Sequence, residues 1–329
     1  MARVTINFAA SEYDHFRDLI DGTVPVSGID INYLRMPVEE AFTRFVNFLE
    51  FELSEMSMGK YVSFVSTGNT SVLALPVFPS RAFRQSSIFV RRDGPVKRPE
   101  DLRGKKVGIP EWAQTAAIYT RGWLEHQVGI KIPEIEWVQA GINQPGREEK
   151  VEAKFPPGVR YRQEKTKSLS GMLLAGEIDA AACARPPQPF VDGNPDIVRL
   201  FPNYREVEEK FYRDTGIFPI MHVIAMRRDA YEANRWIAVN LYNAFVEAKR
   251  RAVERALDAT ATSYPFAWCS HAADEARRIF GEDFFPYGHE ANRKTLDAFL
   301  QYAFEHGVCH RRVQPDELFP KELTKVYRV

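Results

Sequence analysis

The stretch Asp101–Leu124, DLRGKKVGIPEWAQTAAIYTRGWL, decides how the rest of the chain is read. It opens with a polar turn, Asp101 to Lys106, and runs into a short strand, Val107-Gly108-Ile109. Pro110 ends that strand, because proline has no N–H to give a ladder. Beyond it Ala116, Ala117, Ile118, Tyr119 and Leu124 recur near the 3.6-residue helical period. A loop of small and polar residues, Ala113-Gln114-Thr115, thus meets the first turn of a helix. The unpaired N–H groups and dipole at such a start attract anions, carboxylates included. An ordinary βα unit with Thr115 as N-cap reads equally well.

The same alternation extends in both directions. Upstream, Val4–Ala9, Gly28–Leu34, Phe51–Ser57, Val72–Phe78 and Ile88–Val90 read as strands, with helices over Glu39–Leu49 and from Tyr61. Downstream, Ile135–Val138, Ile178–Ala184 and Ile197–Phe201 read as strands, and Ser168–Ala175 and Val207–Asp214 as helices. Gly176 suits the left-handed residue that closes a helix. Gly141–Pro157 is loop-rich, a lid or a solvated insertion. Gly216–Met226 is a mostly apolar run holding one histidine, and the last third is helical. Alternating βα units imply α/β architecture with mostly parallel sheets. The strands Ile88–Val90 and Ile220–Met226 join two halves, with crossings near Val90 and Val223. The expected organisation is lobe I from residues 1–92 and 223–329 with the C-terminal helices, lobe II from residues 93–222, and a ligand cleft between them.

Bulk numbers exclude several classes. The 329 residues allow about two domains, and 45% hydrophobic with 27% charged residues predicts a packed core. Lys+Arg and Asp+Glu both total 44, without the basic surplus of a nucleic-acid protein. No secretory leader precedes the first strand, and no apolar run approaches the ~18 residues of a membrane span. Three scattered cysteines do not form a disulfide framework. These features predict a cytoplasmic protein with no nucleic-acid or membrane partner; a homo-oligomer is left open. His306, Cys309 and His310 are close in sequence, but Gly307 breaks the helix that would align them, and no metal site is expected. Gly-x-Gly-x-x-Gly and Walker sequences are absent, so no nucleotide cofactor is indicated.

Several segments together resemble one family. The Asp101–Pro110 opening, the LLAGEIDAA run ending in Arg185-Pro186-Pro187 and the crossing strands look like the type 2 periplasmic-binding-protein fold. Within it EMSMGKY, PVFPSRAFRQSS, QPGREEK, PPGVR and TGIFPIMHVIAMRRD resemble the 4,5-dihydroxyphthalate decarboxylases, from the first strand to at least Arg250. Family members more often carry arginine at the position of His15 and histidine at that of Gln85, so the substrate need not be identical. The resemblance implies a cofactor-independent carboxy-lyase acting on a phthalate-like dihydroxylated aromatic acid. A non-enzymatic solute-binding protein for a small carboxylate, or a same-fold enzyme for another aromatic or heterocyclic acid, are the alternatives.

Such a reaction needs a proton donor near neutral pKa and oriented dipoles for phenolate character. It also needs a planar cation for the carboxylate that stays behind, and arginine suits that role. His222, in an apolar crossing strand inside GIFPIMH, is the first candidate donor, and His15 at the tip of the first strand the second. Glu55 at its strand end is placed to orient a histidine or accept a phenolic proton. Arg81, Arg84 and Arg185 are the carboxylate candidates. Ser57, Ser86, Thr115 and Phe218 complete the expected substrate contacts, while Arg121, inside a helix, reads as structural.

Overall fold

Ten of the eleven described strands grow from stretches read above as strands, and the eleven assemble into two separate sheets. The computed structural model describes residues 3–324. The first sheet holds β1 (Val4–Ala10), β2 (Ile29–Arg35), β3 (Leu53–Ser57), β4 (Val72–Leu75) and β11 (His222–Arg227) in the order β2-β1-β3-β11-β4. The second holds β5 (Ile88–Arg91), β6 (Lys106–Ile109), β7 (Glu136–Gln139), β8 (Arg160–Gln163), β9 (Ala180–Ala182) and β10 (Ile197–Arg199) in the order β10-β5-β9-β6-β7-β8. Each sheet contains one strand that opposes its neighbours: β11 runs antiparallel to β3 and β4, and β5 antiparallel to β9 and β10. Both opposing strands follow directly on a passage between the sheets, so the chain enters each sheet against its grain.

The two passages run side by side. Met221 N–H donates to the Ser80 carbonyl at 2.8 Å, Ala82 N–H reaches Pro219, and Arg81 and Ile220 form an isolated antiparallel bridge. By hydrogen bonding β5 belongs to the second sheet and His222 to the first. The sheets therefore divide within residues 76–87 and 216–221, not at the expected 92/93 and 222/223. The difference is physical: the proline-rich segment around Pro76 and Pro79 cannot extend a ladder, so it makes the crossing, while Ile88–Arg91 is free to pair.

Two local expectations change. Gln114, not Thr115, is the N-cap of the helix Thr115–Trp123. The edge strand β8 was not anticipated, because Arg160–Gln163 is a half-exposed polar stretch with no buried face to give an apolar rhythm.

The C-terminal helices do not stay with one sheet. Trp236–Leu257 packs Phe245 onto Phe8 and Phe16 of the first sheet's core. Arg293–Glu305 instead lies along Thr115–Trp123, stacking Phe299 near Tyr119 and laying Tyr302 over Gly122. The segment after it continues across both halves. Trp112 Nε1 donates to the His306 carbonyl and Lys154 N–H to the Gly307 carbonyl, each at 2.8 Å. On the other side His310 N–H donates to Ser66 Oγ, and Cys309 Sγ to the Val62 carbonyl. His306, Cys309 and His310 thus face three different neighbours. No described helix is long and apolar enough to cross a membrane.

The halves meet most closely where the helix Met58–Thr67 starts against the loop before Thr115. A Cβ on Gly59 would stand 2.3 Å from the Ala113 carbonyl oxygen. That neighbour is backbone and cannot rotate away, so Gly59→Ala should destabilise the protein by about 1–3 kcal/mol in equilibrium urea unfolding. An unchanged midpoint would mean that the two helix starts are not held in contact.

Candidate active site

The register of two strands builds the centre of the site. In the β3–β11 ladder His222 lies opposite Ser57, and Ile224 opposite Glu55. Directly opposed residues share a face, as do residues two apart on one strand. Glu55, Ser57 and His222 therefore project from the same side of the first sheet. His222 Nδ1 lies 2.6 Å from Glu55 Oε1.

Glu55 is fully buried, and its carboxylate is satisfied by donors from a third strand. Ser11 N–H, just past β1, donates to Oε2 at 3.0 Å, and the Tyr13 hydroxyl donates to Oε1. Burial works to raise the carboxyl pKa, but His222, Tyr13 and the Ser11 N–H together hold it below the usual carboxylate value. Burial, then the neighbouring Glu55 charge, pushes the Tyr13 phenol far above its ordinary range, so it remains a neutral donor. An ionised Glu55 requires the proton on His222 Nδ1. The Nε2 edge of this one-fifth-exposed side chain has no protein partner among the described residues, and the Phe42 ring stands edge-on to the imidazole at 5.0 Å. A carboxylate-oriented imidazole with one free nitrogen can deliver a proton to a carbon or take one from an oxygen.

The three arginines are used differently. Arg84 has its guanidinium largely buried, with Nε against Met221 Sδ at 3.1 Å, and no carboxylate pairs with it among the described residues. Burial pulls its pKa down to about 10, against the opposing charge of nearby Glu208, and leaves it charged. Arg81 donates instead to the Phe218 and Pro286 carbonyls and to Asn292 Oδ1, and it lies over the Phe218 ring at 4.9 Å. Its work is to fasten the crossing to the C-terminal region. Arg185 is two-thirds exposed and pairs with Glu39 at 2.8 Å, an ion bond from the loop after β9 to the helix Val38–Phe48 of the other half.

Hydroxyls and helix starts line the seam. Ser57 Oγ and Thr115 Oγ1 are 3.1 Å apart, and Thr115 Oγ1 accepts from Gly59 N–H at 2.9 Å. Neither Met58–Thr67 nor Thr115–Trp123 is capped by its own N-cap side chain, and the two helix N-termini converge here; Met58 N–H donates to the Met221 carbonyl and Gly59 N–H to Thr115 Oγ1. Gln114 Oε1, at the cap position, is buried without a partner. Ser86 N–H donates to Glu208, its carbonyl accepts from Arg199, and Phe218 stacks with Phe83 and Phe280. Gln85 is buried and accepts from the Arg84 N–H.

His222, Glu55, Ser57 and Thr115 are thus brought together, with Arg84 against the residue before His222. Ser86, Arg185 and Phe218 lie around them in other contacts. Tyr13 was not singled out in the sequence, although the polar run Ser11–His15 pointed to its neighbourhood. His15 is set apart: its ring nests among Tyr13, Phe16, Phe285 and Tyr287, and its Nε2 is buried without a partner.

Burial lowers the His15 pKa from 6.5 to about 4. The unfolded chain therefore binds more protons between those two values, and stability falls as pH is lowered through that window. His306, also lowered by burial from 6.5 to about 4, contributes in the same sense. In His15→Phe the urea midpoint should lose less on acidification from 6.5 toward 4 than in the wild type. An identical acid slope would show that His15 is not held neutral.

Comparisons with known proteins follow this geometry. Residues 10–183 match the family described as ABC transporter, phosphonate, periplasmic substrate-binding protein. Among solved structures, the aliphatic sulphonate binding protein SsuA of Escherichia coli superposes with a TM-score of 0.55 at 12% identity, covering 98% of this chain and 99% of that one. The sulfonate-binding SsuA of Methylobacillus flagellatus gives 0.58 at 11% identity, with 98% and 93% covered. These similarities establish the two-lobed α/β fold. At the sequence level, 4,5-dihydroxyphthalate decarboxylase of Comamonas testosteroni is 35% identical over 97% of both chains. The Pseudomonas putida enzyme of the same name is 35% identical over 65% of this chain and 83% of its own. The chain belongs to the 4,5-dihydroxyphthalate decarboxylase family, built on the periplasmic-binding-protein fold.

Proposed function

We propose that this protein is a carboxy-lyase that removes one carboxylate from 4,5-dihydroxyphthalate or a close dihydroxylated analogue, without a cofactor. The observation that carries the reading is the buried Glu55–His222 pair, bonded at 2.6 Å with one imidazole nitrogen left free. A protein that only binds a solute has no need of an oriented proton donor. The family relatives supply the substrate class.

The substrate's own ring serves as electron sink, because a hydroxyl lies para to the departing carboxylate. In the proposed sequence His222, protonated on both nitrogens, gives its Nε2 proton to the ring carbon that bears that carboxylate. The para oxygen donates its electron pair to the ring and becomes carbonyl-like. The C–C bond then breaks, its electrons restore the aromatic ring, and CO2 leaves. His222 recovers a proton from solvent. Throughout, Glu55 keeps the Nδ1 proton in place and stabilises the imidazolium. Arg84 holds the second carboxylate by charge-assisted bonds. Ser57, Thr115 and the converging helix starts support the phenolate character of the ring oxygen from which the electron push begins and to which it returns as CO2 leaves. The three cysteines are free, which fits a reducing compartment, and we assign the enzyme to the cytoplasm on that ground.

CO2 release from a panel of aromatic acids in the presence of EDTA tests the reaction. Turnover of a dihydroxyphthalate is expected. Binding without turnover would convert the reading to a solute-binding protein, and loss of activity on chelation would overturn the cofactor-free chemistry. Replacements should then separate binding from chemistry. Arg84→Ala should weaken substrate affinity by about 1.5–3 kcal/mol, since the retained carboxylate is bound in ground and transition states alike. His222→Ala should lower kcat by roughly 10²–10⁴-fold with a smaller effect on affinity. A folded His222→Ala protein turning over at the wild-type rate would remove His222 from the role of donor.

A further inference from the structure

Two Glu-His dipeptides end two neighbouring helices. Glu125-His126 follows Thr115–Trp123, inside a single π-helical turn, Leu124–Val128. Glu305-His306 closes Arg293–Glu305, just before Gly307 adopts a left-handed φ of 71°. Wide π turns within helices recur at functional sites. The contact of Tyr302 with Gly122 lays the helices side by side, and their ends meet crosswise. His126 Nε2 stands 2.7 Å from Glu305 Oε2, and His306 Nε2 3.7 Å from Glu125 Oε2.

We propose that Glu125, His126 and Glu305 form a binding site for a divalent first-row transition ion, zinc foremost, with His306 as its supporting partner. One ligand atom from each of the three lies within 4.8 Å of the others. Two ligands of a tetrahedral ion, each at about 2.0–2.1 Å from it, stand about 3.3 Å apart. The 2.7 Å separation already present lies on one side of that value, and modest side-chain movement would make room for the ion. Two carboxylates and an imidazole offer the oxygen and nitrogen donors that zinc accepts; the exposed Lys131 ammonium, 3.4 Å from Glu125 Oε1, would give way to the ion. The donors are oriented in advance: the His126 ring stacks on Tyr302 at 5.0 Å, and Gln301 Nε2 donates to Glu305 Oε1, which turns Oε2 toward His126 Nε2, the two atoms an ion would bridge.

His306 is the independent sign. It is fully buried, neither ring nitrogen has a hydrogen-bond partner, and Nε2 is aimed at Glu125. When Glu125 ligates through one oxygen, His306 can donate to the other, which is the outer-sphere support that metal-bound carboxylates commonly receive. A second cluster, His289 with Glu290 and Asp316, also holds a buried histidine whose Nε2 has no hydrogen-bond partner among the described residues, but the Arg293 guanidinium pairs with both its carboxylates, at 3.4 and 3.2 Å. The proposed ion lies at the far end of the helix that begins at Thr115. It would fasten that helix to Arg293–Glu305 and take no part in the ring chemistry.

The test is calorimetric titration of Zn²⁺ into full-length protein stripped with EDTA and desalted, with the visible spectrum of the Co²⁺-loaded protein as a second readout. One equivalent should bind, Zn²⁺ should raise the thermal midpoint, and Co²⁺ should show tetrahedral bands. Glu305→Gln and His126→Gln, each checked for folding by circular dichroism, should abolish that binding. His306→Gln should weaken it by about 10–100-fold. Absence of saturable Zn²⁺ binding by the wild type, or equal binding by Glu305→Gln and His126→Gln, would overturn the site. Binding is read apart from turnover, so the result stands whatever the decarboxylation assay shows.

Discussion

A carboxylate removed from water must be met by donors, and Glu55 is the carboxylate on which this structure turns. It is fully buried, and its partners come from the end of β1, the turn after it and the start of β11. The same three bonds that make its burial tolerable also fix where Tyr13 and His222 stand. Leaving any of them unmade would strand charge in the core, a large penalty beside the net stability of a domain. Sheet assembly and the orientation of the imidazole are therefore one requirement. The strand that carries His222 is also the one that returns the chain from the second sheet, so its imidazole sits where the halves are joined.

Charge is placed unevenly within a chain that is neutral overall. Arg84 and Arg81 have buried guanidinium groups and no carboxylate partner among the described residues, while the exposed arginines are paired many times over. Arg81 resolves its burial with carbonyl and amide oxygens and aromatic faces. Arg84 has only a thioether against one nitrogen. The local positive charge is what a dianionic substrate would complete, and the dipoles of the helices that start at Met58 and Thr115 add to it.

Much of the architecture was legible in the sequence because apolar periodicity survives in β1, β3, β4, β6, β7 and β9, and because prolines mark the crossings. His222 drew attention for the converse reason, a polar residue in a mostly apolar run, and Glu55 as a carboxylate at a strand end. What sequence could not give was register and direction. Arg81 and Arg84 sit three residues apart in one motif, and only the Ser80–Met221 and Arg81–Ile220 pairings decide which turns toward the C-terminal helices. His15 and Tyr13 are two residues apart at one strand end, and a short turn at Asp14–Phe16 sends the phenol to Glu55 and the imidazole into an aromatic nest. The meeting of Glu125-His126 with Glu305-His306 spans 179 residues and follows from helix packing alone.

The segment from His306 to His310 is tied to Trp112 and Lys154 on one side and to Val62 and Ser66 on the other. In a receptor built on two lobes, occupancy is announced by a swing of one half against the other, and the connection between them must give. Here the last fifth of the chain is sewn through both halves, so any such swing would first have to tear buried bonds at Trp112 and Cys309. A scaffold of this kind has exchanged the gesture of a messenger for the steadiness of a vise, which holds its work still while a bond is broken.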